Sequence, residues 1–245
     1  MSFVWPKRST EIIEVWKDNL EEEFARIREI VDDYPYIAMG TEVHGDLLLP
    51  EAQVNNFVDY NYHTMKVNVD RLKLTKFGLT FSDENGHLPT CGTDKNCAWQ
   101  FNFQEFNTGN GIDVYRFGEL LLSSGCVLND TIFWVTFHGG YGFGHLLRLL
   151  IRKELPESQV TFFNIFKMYF PMAYNIKYLA KFCDHLDGDL NKLAQTLEIE
   201  RIGVIKRVLI VWLLLLFSRK LKEYYFNGSI ERYGGVLFGL SGVDA

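Results

Sequence analysis

The most informative stretch of this chain is Tyr36-Ile-Ala-Met-Gly-Thr-Glu-Val-His-Gly45. The residues from Tyr36 to Met39 are apolar and predict a short strand. We expect a small polar turn to follow, and one acid, Glu42, lies in it. Side chains alternate along a strand, so residues two apart point to the same side. Gly40 therefore shares a side with Glu42, and an acid stands beside a position that has no side chain.

The composition predicts a folded domain without general affinity for nucleic acid. The chain has 245 residues, 47% of them hydrophobic and 15% aromatic, which is enough for a sizeable core. A net charge of -6 argues against binding nucleic acid by bulk charge, but leaves open an enzyme that holds RNA through metal ions or a local groove. The four cysteines predict reduced thiols. A zinc site at Cys91 and Cys97 is disfavoured because no second pair has suitable spacing.

Hydrophobic periodicity predicts the order of the helices and strands. Apolar residues from Ile12 to Val31 recur at helical spacing and predict an amphipathic helix of about five turns. Strands are predicted at Phe77–Phe81 and Trp99–Phe103, paired antiparallel, and at Ile132–Phe137. Further helices are predicted at Val114–Ser123, after the glycine-rich segment 138–144 through Ile151, and at Phe162–Phe170, Tyr178–Phe182 and Leu190–Leu197. This order predicts one α/β domain over residues 1–245, with a mixed sheet and helices on both faces.

One apolar run, Val208 to Phe217, has the composition of a membrane helix but not its length. It holds ten consecutive apolar residues between the basic pairs Lys206-Arg207 and Arg219-Lys220. A helix that spans a membrane needs about 20 apolar residues. We therefore predict a buried helix rather than a membrane anchor, and we expect no membrane partner.

Seven stretches of the chain resemble one protein family. In order, they are Glu14-Val-Trp-Lys-Asp-Asn-Leu20, Glu23-Phe-Ala-Arg-Ile-Arg28, Leu79-Thr-Phe-Ser-Asp83, Leu88-Pro-Thr-Cys-Gly-Thr-Asp94, Trp99-Gln-Phe-Asn-Phe103, Trp134-Val-Thr-Phe-His138 and Gly235-Val-Leu-Phe-Gly-Leu240. Together they cover nearly the whole chain, which resembles the deadenylase nuclease subunit of the CCR–NOT complex, the CCR-associated factor family, and most closely its plant members. The resemblance implies an RNase H-like fold of the DEDD exonuclease superfamily, a mixed β-sheet flanked by helices in a single domain.

The resemblance also implies an activity, cofactors and partners. Such enzymes remove the poly(A) tail of mRNA from its 3′ end and release AMP. Two divalent cations, Mg²⁺ or Mn²⁺, activate a water and stabilise the leaving oxygen. Four carboxylates hold these ions, and a histidine assists as general base. The implied partners are the NOT scaffold subunit, the partner deadenylase of the CCR–NOT complex and poly(A) mRNA, and the implied location is the nucleus and cytoplasm.

Carried over residue by residue, the family's metal site keeps one acid of four. The family's first motif, Asp-Thr-Glu-Phe-Pro-Gly, reads Gly40-Thr-Glu-Val-His-Gly45 here, so its Asp is Gly40 and its Glu is Glu42. The middle motif, Phe-His-Ser-Gly-Tyr-Asp-Phe-Gly, has Gly142 at its Asp. The last motif, Cys-His-Gln-Ala-Gly-Ser-Asp-Ser, is replaced, and a plain alignment puts Lys206 near its His and Val211 near its Asp.

These replacements predict that two-metal chemistry is lost. Two Mg²⁺ ions about 4 Å apart repel each other by roughly 17 kcal/mol at an effective dielectric constant of about 20. Four carboxylates offset this repulsion, whereas Glu42 alone does not. His44, His138 and His145 supply nitrogen, but Mg²⁺ prefers oxygen. Glu42 is then either an acid of a solvated turn or a ligand of one remaining metal ion.

A shifted reading frame explains the replacement of the last motif. The codons TGT CAT CAA GCG GGT TCT GAT AGT TTG G encode the family motif and a following Leu. Read from the second base, they give Val-Ile-Lys-Arg-Val-Leu-Ile-Val-Trp, which is Val204 to Trp212. We hypothesise that this stretch is translated out of frame and that the family frame returns near Arg219-Lys-Leu221. The shift also explains the apolar run better than a membrane anchor does.

Two further departures from the family concern the middle of the chain. A helix-length stretch of the family is missing between Phe106 and Tyr115, so the domain is shortened near residues 107–114, and Asn175 stands where the family usually has Asp. Three interpretations remain: an intact deadenylase distorted by sequence errors, a non-catalytic paralogue that docks on the NOT scaffold, and the product of a decayed or mispredicted gene that folds poorly. We favour the last two, because Gly40 and Gly142 do not depend on the shifted frame.

Overall fold

Strand β2 (Tyr36–His44) runs through the middle of the fold. The computed structural model describes residues 9–49, 57–103, 109–137, 140–183 and 229–241, together with 192, 221 and 223–227. The other strands are β1 (Thr10–Val15), β3 (Lys73–Ser82), β4 (Asn96–Asn102), β5 (Phe133–Thr136) and β6 (Met172–Asn175). The helices are α1 (Leu20–Ile30), α2 (Phe57–Arg71), α3 (Val114–Leu122), α4 (Gly140–Ile151), α5 (Gln159–Tyr169) and α6 (Ile176–Ala180).

The six strands form one mixed sheet in the order β1-β4-β3-β2-β5-β6. β3 runs antiparallel to both of its neighbours, β2 and β4. β5 and β6 continue the sheet parallel to β2, and β1 closes the other edge parallel to β4. The predicted single α/β domain with a mixed sheet is confirmed, and so is the antiparallel pairing of the second and third predicted strands.

Two hydrophobic cores cover the two faces of the sheet. In β2, Ile37 and Met39 pack with residues of α1 to α5, whereas Ala38 between them packs with α6 and the C-terminal segment. β5 divides in the same way, with Trp134 in the first core and Val135 in the second. Because strand side chains alternate between faces, each core lies on its own side, and the prediction of helices on both faces is confirmed.

The predicted five-turn helix from Ile12 to Val31 is wrong in its first part. Residues Thr10–Val15 form strand β1, and α1 begins only after it. Glu14 holds β1 against β4, since its Oε2 accepts hydrogen bonds from Gln100 Nε2 at 2.8 Å and Asn102 Nδ2 at 3.0 Å. Pairing with β4, favoured by the β-branched residues of β1, outweighs the helical spacing of the apolar residues.

The polar turn predicted after Met39 is also wrong, because β2 continues through His44. Glu42 lies within the strand, and the pairing of β2 with β3 has a bulge between Glu42 and Val43. β3 begins at Lys73, earlier than its apolar pattern predicts, and supplies a pairing partner for the polar half of β2. These backbone hydrogen bonds keep the segment extended although its side chains show no strand pattern.

The remaining predictions divide into confirmed, missed and untested elements. The predicted strand at Ile132–Phe137 is confirmed as β5, and the helices predicted at Val114–Ser123, through Ile151, at Phe162–Phe170 and at Tyr178–Phe182 are confirmed as α3 to α6. The sequence pattern missed α2 and β6. The predictions for Leu190–Leu197 and for the run from Val208 to Phe217 lie outside the described residues. In the part of the chain that the structure describes, no helix has both the length and the apolar character needed to cross a membrane.

Candidate metal-binding edge of strand β2

Strand β2 extends beyond its neighbour β5, and the candidate site lies along this extra length. Within the described residues, β5 pairs with residues 36–38 of β2 and ends at Thr136. Residues 39–44 therefore have β3 on one side and the first turn of α4 on the other. Gly40 and Glu42 both lie in this stretch, and their two-residue spacing puts them on the same face of the strand.

Gly142, in the first turn of α4, faces the same stretch. A Cβ atom at this position would lie 3.3 Å from Met39 Cε and 3.8 Å from the side chain of Thr41. Met39 and Thr41 flank Gly40 in the chain, so the first turn of α4 packs against the stretch of β2 that contains Gly40. The fold thus packs α4 against this stretch of β2, and each of the two elements carries a glycine where the family motifs have an acid.

Neither glycine is required by the backbone. Both lie in regular secondary structure, and neither has a positive φ. Gly40 pairs across the sheet with Gly78, so a side chain at position 40 would meet no opposing side chain there. At Gly142 the nearest atom is the flexible end of Met39, which has to move by only a few tenths of an ångström. A Cβ atom is therefore accommodated at position 142 after a small shift of Met39, and position 40 has no opposing side chain on β3.

Glu42 is half-buried and has a basic residue opposite it. Its register partner on β3 is Lys76, and directly opposite residues of an antiparallel pair share a face. Thr75 fixes the backbone here, because its Oγ1 donates a hydrogen bond to the Glu42 carbonyl oxygen at 3.1 Å. Sequence analysis missed Lys76. The alternation of side chains along β3 does not show that Lys76 faces Glu42 unless the register between β2 and β3 is known.

The acids at this edge do not fit a two-metal centre. Glu42 is the one carboxylate between residues 36 and 45. In the described ranges, no group of three or more His, Cys, Asp or Glu side chains is placed to hold a metal ion. Mg²⁺ needs an oxygen-rich shell, usually from carboxylates and water. Lys206 and Val211, the other two positions of the predicted site, lie outside the described residues.

The histidines considered as ligands lie in different places. His44 is exposed at the end of β2, His138 lies outside the described residues, and His145 is buried in α4. Burial is the main cause that lowers the pKa of His145 to about 4, with the positive charge of Arg148 acting in the same direction. His145 is therefore neutral at pH 7, and it lines a separate cavity.

Asn175 has a structural role at the end of β6. Its Oδ1 accepts a hydrogen bond from the Tyr178 backbone N–H at 3.0 Å and caps α6. The residue is fully buried, and its Nδ2 has no hydrogen-bond partner among the described residues. An aspartate, the family's usual residue, would cap the helix without an unpaired donor, which costs about 1–3 kcal/mol when buried.

Known proteins of similar sequence come from a plant and a yeast. No protein-family model matches the chain. The chain is 54% identical to probable CCR4-associated factor 1 homolog 10 of Arabidopsis thaliana over 258 residues, which covers 95% of this chain and 93% of that protein. It is 48% identical to homolog 7 of the same plant over 270 residues, covering 100% and 98%. It is 34% identical to poly(A) ribonuclease pop2 of Schizosaccharomyces pombe over 261 residues, covering 96% and 76%.

Solved structures show the same fold. Pop2p of S. pombe in its Mg²⁺- and Mn²⁺-bound form has a TM-score of 0.84 at 33% identity, covering 94% of this chain and 99% of that chain. A structure of the yeast NOT1 MIF4G domain co-crystallised with CAF1 gives a TM-score of 0.82 at 30% identity, covering 97% and 100%. The mixed six-stranded sheet with its helices thus defines a domain with the fold of the Pop2 ribonuclease. The chain belongs to the CCR4-associated factor 1 (CAF1/Pop2) deadenylase family.

Proposed function

We propose that this chain is a member of the poly(A)-shortening machinery that keeps the deadenylase fold but lacks two-metal exonuclease activity. The observation that carries the proposal is the pair Gly40 and Gly142, one in β2 and the other in the turn of α4 that packs against β2. Two positions that hold metal through carboxylates in the family motifs have no side chain here. Glu42 remains, and one carboxylate does not offset the repulsion between two divalent cations.

A trimming assay tests this proposal. The purified chain is incubated with a 5′-labelled RNA that ends in adenosines, with Mg²⁺ or Mn²⁺, and the products are separated on a denaturing gel. We expect shortening to be at least about a thousandfold slower than by S. pombe Pop2p, because metal ions supply several kcal/mol of transition-state stabilisation. Metal-dependent trimming at a rate near that of Pop2p would overturn the proposal.

A repaired chain shows whether the fold still supports the chemistry. The repair combines Gly40→Asp and Gly142→Asp with the family motif Cys-His-Gln-Ala-Gly-Ser-Asp-Ser in place of residues 204–211. We expect the repaired chain to trim the RNA, since neither glycine has a positive φ and a Cβ at position 142 requires only a small shift of Met39. The repaired frame without the two aspartates is the matched control, and we expect it to remain inactive.

We further propose that the chain docks on the NOT scaffold, as a non-catalytic paralogue would. The co-crystal of CAF1 with the NOT1 MIF4G domain supports this proposal. A candidate contact is formed by Leu128 and Met168, which are 52% and 56% exposed. The Leu128 backbone N–H donates to the carbonyl oxygen of Tyr169 at 2.9 Å, so the two apolar side chains belong to neighbouring segments.

Capture on an immobilised NOT1 MIF4G domain tests the docking proposal. We expect the chain to bind and Met168→Glu to weaken binding by about tenfold or more, because a charge would be buried in an apolar contact. Val160→Glu changes another exposed apolar residue of the same helix and is expected to bind normally. Failure of the unaltered, folded chain to bind would contradict the proposal.

The alternative is a decayed or mispredicted gene, and it makes a different prediction in cells. A scaffold-binding member is expected in both nucleus and cytoplasm, together with NOT subunits. A decayed product is expected to be absent or insoluble. Detection of the endogenous protein by an antibody, followed by fractionation of nucleus and cytoplasm, distinguishes the two.

A further inference from the structure

A cavity of about 810 Å³ lies between the ends of α2 and α4, the start of β3 and the segment that leads into α3. Its walls come from three segments of the chain, within residues 70–74, 112–115 and 145–154. Gly40, Glu42 and Gly142 are not among these residues. The cavity is therefore separate from the edge of β2 described above.

The wall of the cavity carries an excess of positive charge. Its basic residues are Arg71, Lys73, Arg148, Arg152 and Lys153. Of its three acids, Asp70 accepts hydrogen bonds from Lys66 Nζ at 2.9 Å and from the Leu155 backbone N–H at 3.0 Å. Asp113 caps the first turn of α3 through two backbone N–H groups. Five basic residues against three acids leave the wall with an excess of positive charge, which attracts anions.

Two polar groups in the wall lack the hydrogen bonds that their burial requires. His145 is 4% exposed, and its Nε2 has no hydrogen-bond partner among the described residues. Arg148 Nε is also buried without a hydrogen bond, although it lies 3.4 Å from Asp70 Oδ1. Buried polar atoms of folded proteins are nearly always paired, so these two atoms in the wall have unused hydrogen-bonding capacity.

An aromatic ring stands beside the cationic groups. Tyr115 is 53% exposed, and the guanidinium carbon of Arg152 lies 5.6 Å from the centre of its ring. Glu119 holds this guanidinium in place, since its Oε1 accepts a hydrogen bond from Arg152 Nη2 at 2.6 Å. An exposed ring next to cations offers a stacking surface for a base and charge partners for a phosphate.

We propose that this cavity binds a nucleoside monophosphate, with the phosphate at Arg148 and Arg152 and the base against Tyr115. His145 then supplies a hydrogen bond from its buried Nε2. The volume is in the range of pockets that enclose small molecules. The proposal goes beyond the proposed function, because no residue of the β2 edge takes part in it.

The position of the cavity links it to the shortened middle of the chain. Residues 112–115 form one of its walls, and they lie at the end of the stretch, near residues 107–114, in which we expect family residues to be missing. The alignment with homolog 7 runs over 270 residues although this chain has 245, which supports an internal shortening. The relatives with a longer connection are therefore expected to cover this cavity, and the pocket is expected to be a feature of this chain.

Calorimetric titration with AMP tests the proposal, with adenosine and inorganic phosphate as separate probes. We expect saturable binding of AMP, and at least about tenfold weaker binding of each part alone, because the cations and the ring act on different parts of the ligand. Arg148→Gln and Arg152→Gln are each expected to weaken AMP binding by about tenfold or more. Arg28→Gln, an exposed arginine of α1 outside the cavity, is the matched control and is expected to bind normally.

A second readout separates a ligand contact from a structural effect. In the chain labelled with ¹⁵N-histidine, AMP is expected to shift the Nε2 resonance of His145 and to leave that of exposed His44 unchanged. Circular dichroism melting establishes that each arginine variant is folded. The proposal is overturned if AMP does not bind saturably, if inorganic phosphate binds as tightly as AMP, or if both folded arginine variants bind like the unaltered chain.

Discussion

His145 makes the stability of this protein depend on pH. Its pKa is lowered from 6.5 to about 4 in the folded protein, mainly by burial, with Arg148 lowering it further and Asp70 opposing. The unfolded chain therefore binds a proton at a higher pH than the folded protein does. The contribution of His145 to stability is complete above about pH 6.5 and is lost as the pH falls toward 4.

Urea unfolding at pH 7 and pH 5 measures this effect. We expect the free energy of unfolding to fall by about 2 kcal/mol from this residue alone between the two pH values. His145→Phe, which cannot take up a proton, is expected to lose that part of the pH dependence. His44→Gln removes an exposed histidine and is expected to keep it. An unchanged pH dependence in His145→Phe would contradict the assignment.

Gly142 and Gly144 differ in what a side chain would meet, although both lie in the first half of α4. An aspartate at 142 replaces a poor helix former near the positive end of the helix dipole, so we expect Gly142→Asp to raise the free energy of unfolding by about 0.5–1 kcal/mol. At Gly144 a Cβ would lie 2.9 Å from Val69 Cγ2 and 3.2 Å from Met65 Sδ. Gly144→Asp is therefore expected to cost about 3 kcal/mol or more.

Thermal or urea unfolding of the two variants without metal checks this contrast. A strong destabilisation by Gly142→Asp would mean that the glycine serves the fold. The expected gain would mean that the loss of the acid concerns chemistry alone, since the fold does not need glycine there.

At the scale of elements, one hydrogen bond fixes α1 against the sheet. Trp99 of β4 is fully buried, and its Nε1 donates to Glu23 Oε2 at 2.9 Å. We expect Glu23→Ala to lower the free energy of unfolding by about 2–3 kcal/mol, because it leaves a buried donor without a partner. Glu22→Ala removes an exposed ion pair with Arg26 and is expected to cost less than about 1 kcal/mol. Equal losses in urea unfolding would contradict the role given to Glu23.

Elements with a clear period were predictable from the sequence, and the others were not. The alternation of aromatic and polar residues predicts strand β4, and the helical spacing of apolar residues predicts α3 to α5. β1 was missed because the helical spacing of α1 continues into it, and only contact with β4 decides its form. α2 was missed because its buried face includes polar residues such as Asn68, whose Nδ2 donates to the carbonyl oxygens of Leu48 and Thr64.

The candidate site was predictable in part. Glu42 and the glycines at 40 and 142 were found from motifs, but the packing of α4 against β2 depends on where β5 ends and α4 begins. Glu42 lies opposite Lys76 because of the register between β2 and β3. The basic cavity depends on the packing of three separate segments of the chain. Such long-range geometry leaves no local pattern in a sequence.

At the scale of the whole molecule, the C-terminal segment completes both cores. Leu221, Phe226, Ile230 and Tyr233 pack on one face of the sheet, and Leu237 and Leu240 on the other. A chain that ends at Cys183 lacks all six side chains. We expect it to lose cooperative unfolding, because one face of β2, β5 and β6 would be largely uncovered.

Heat denaturation followed by calorimetry distinguishes the two chains. The chain ending at Ser241 retains the six residues and is expected to unfold in a single sharp transition. A cooperative transition in the chain that ends at Cys183 would show that the first core is sufficient on its own.

The packing of Leu221 and the residues after it also limits which mutations could have produced the shifted reading frame. A single-base deletion before the codon of Val204 would alter every later residue, yet the side chains that complete both cores are in place downstream. A genetic shift must therefore include a second lesion before codon 221, and the net change in the number of bases must be zero or a multiple of three. Genomic sequencing would reveal such a compensating pair directly, and a misplaced intron boundary would leave neither lesion in the DNA.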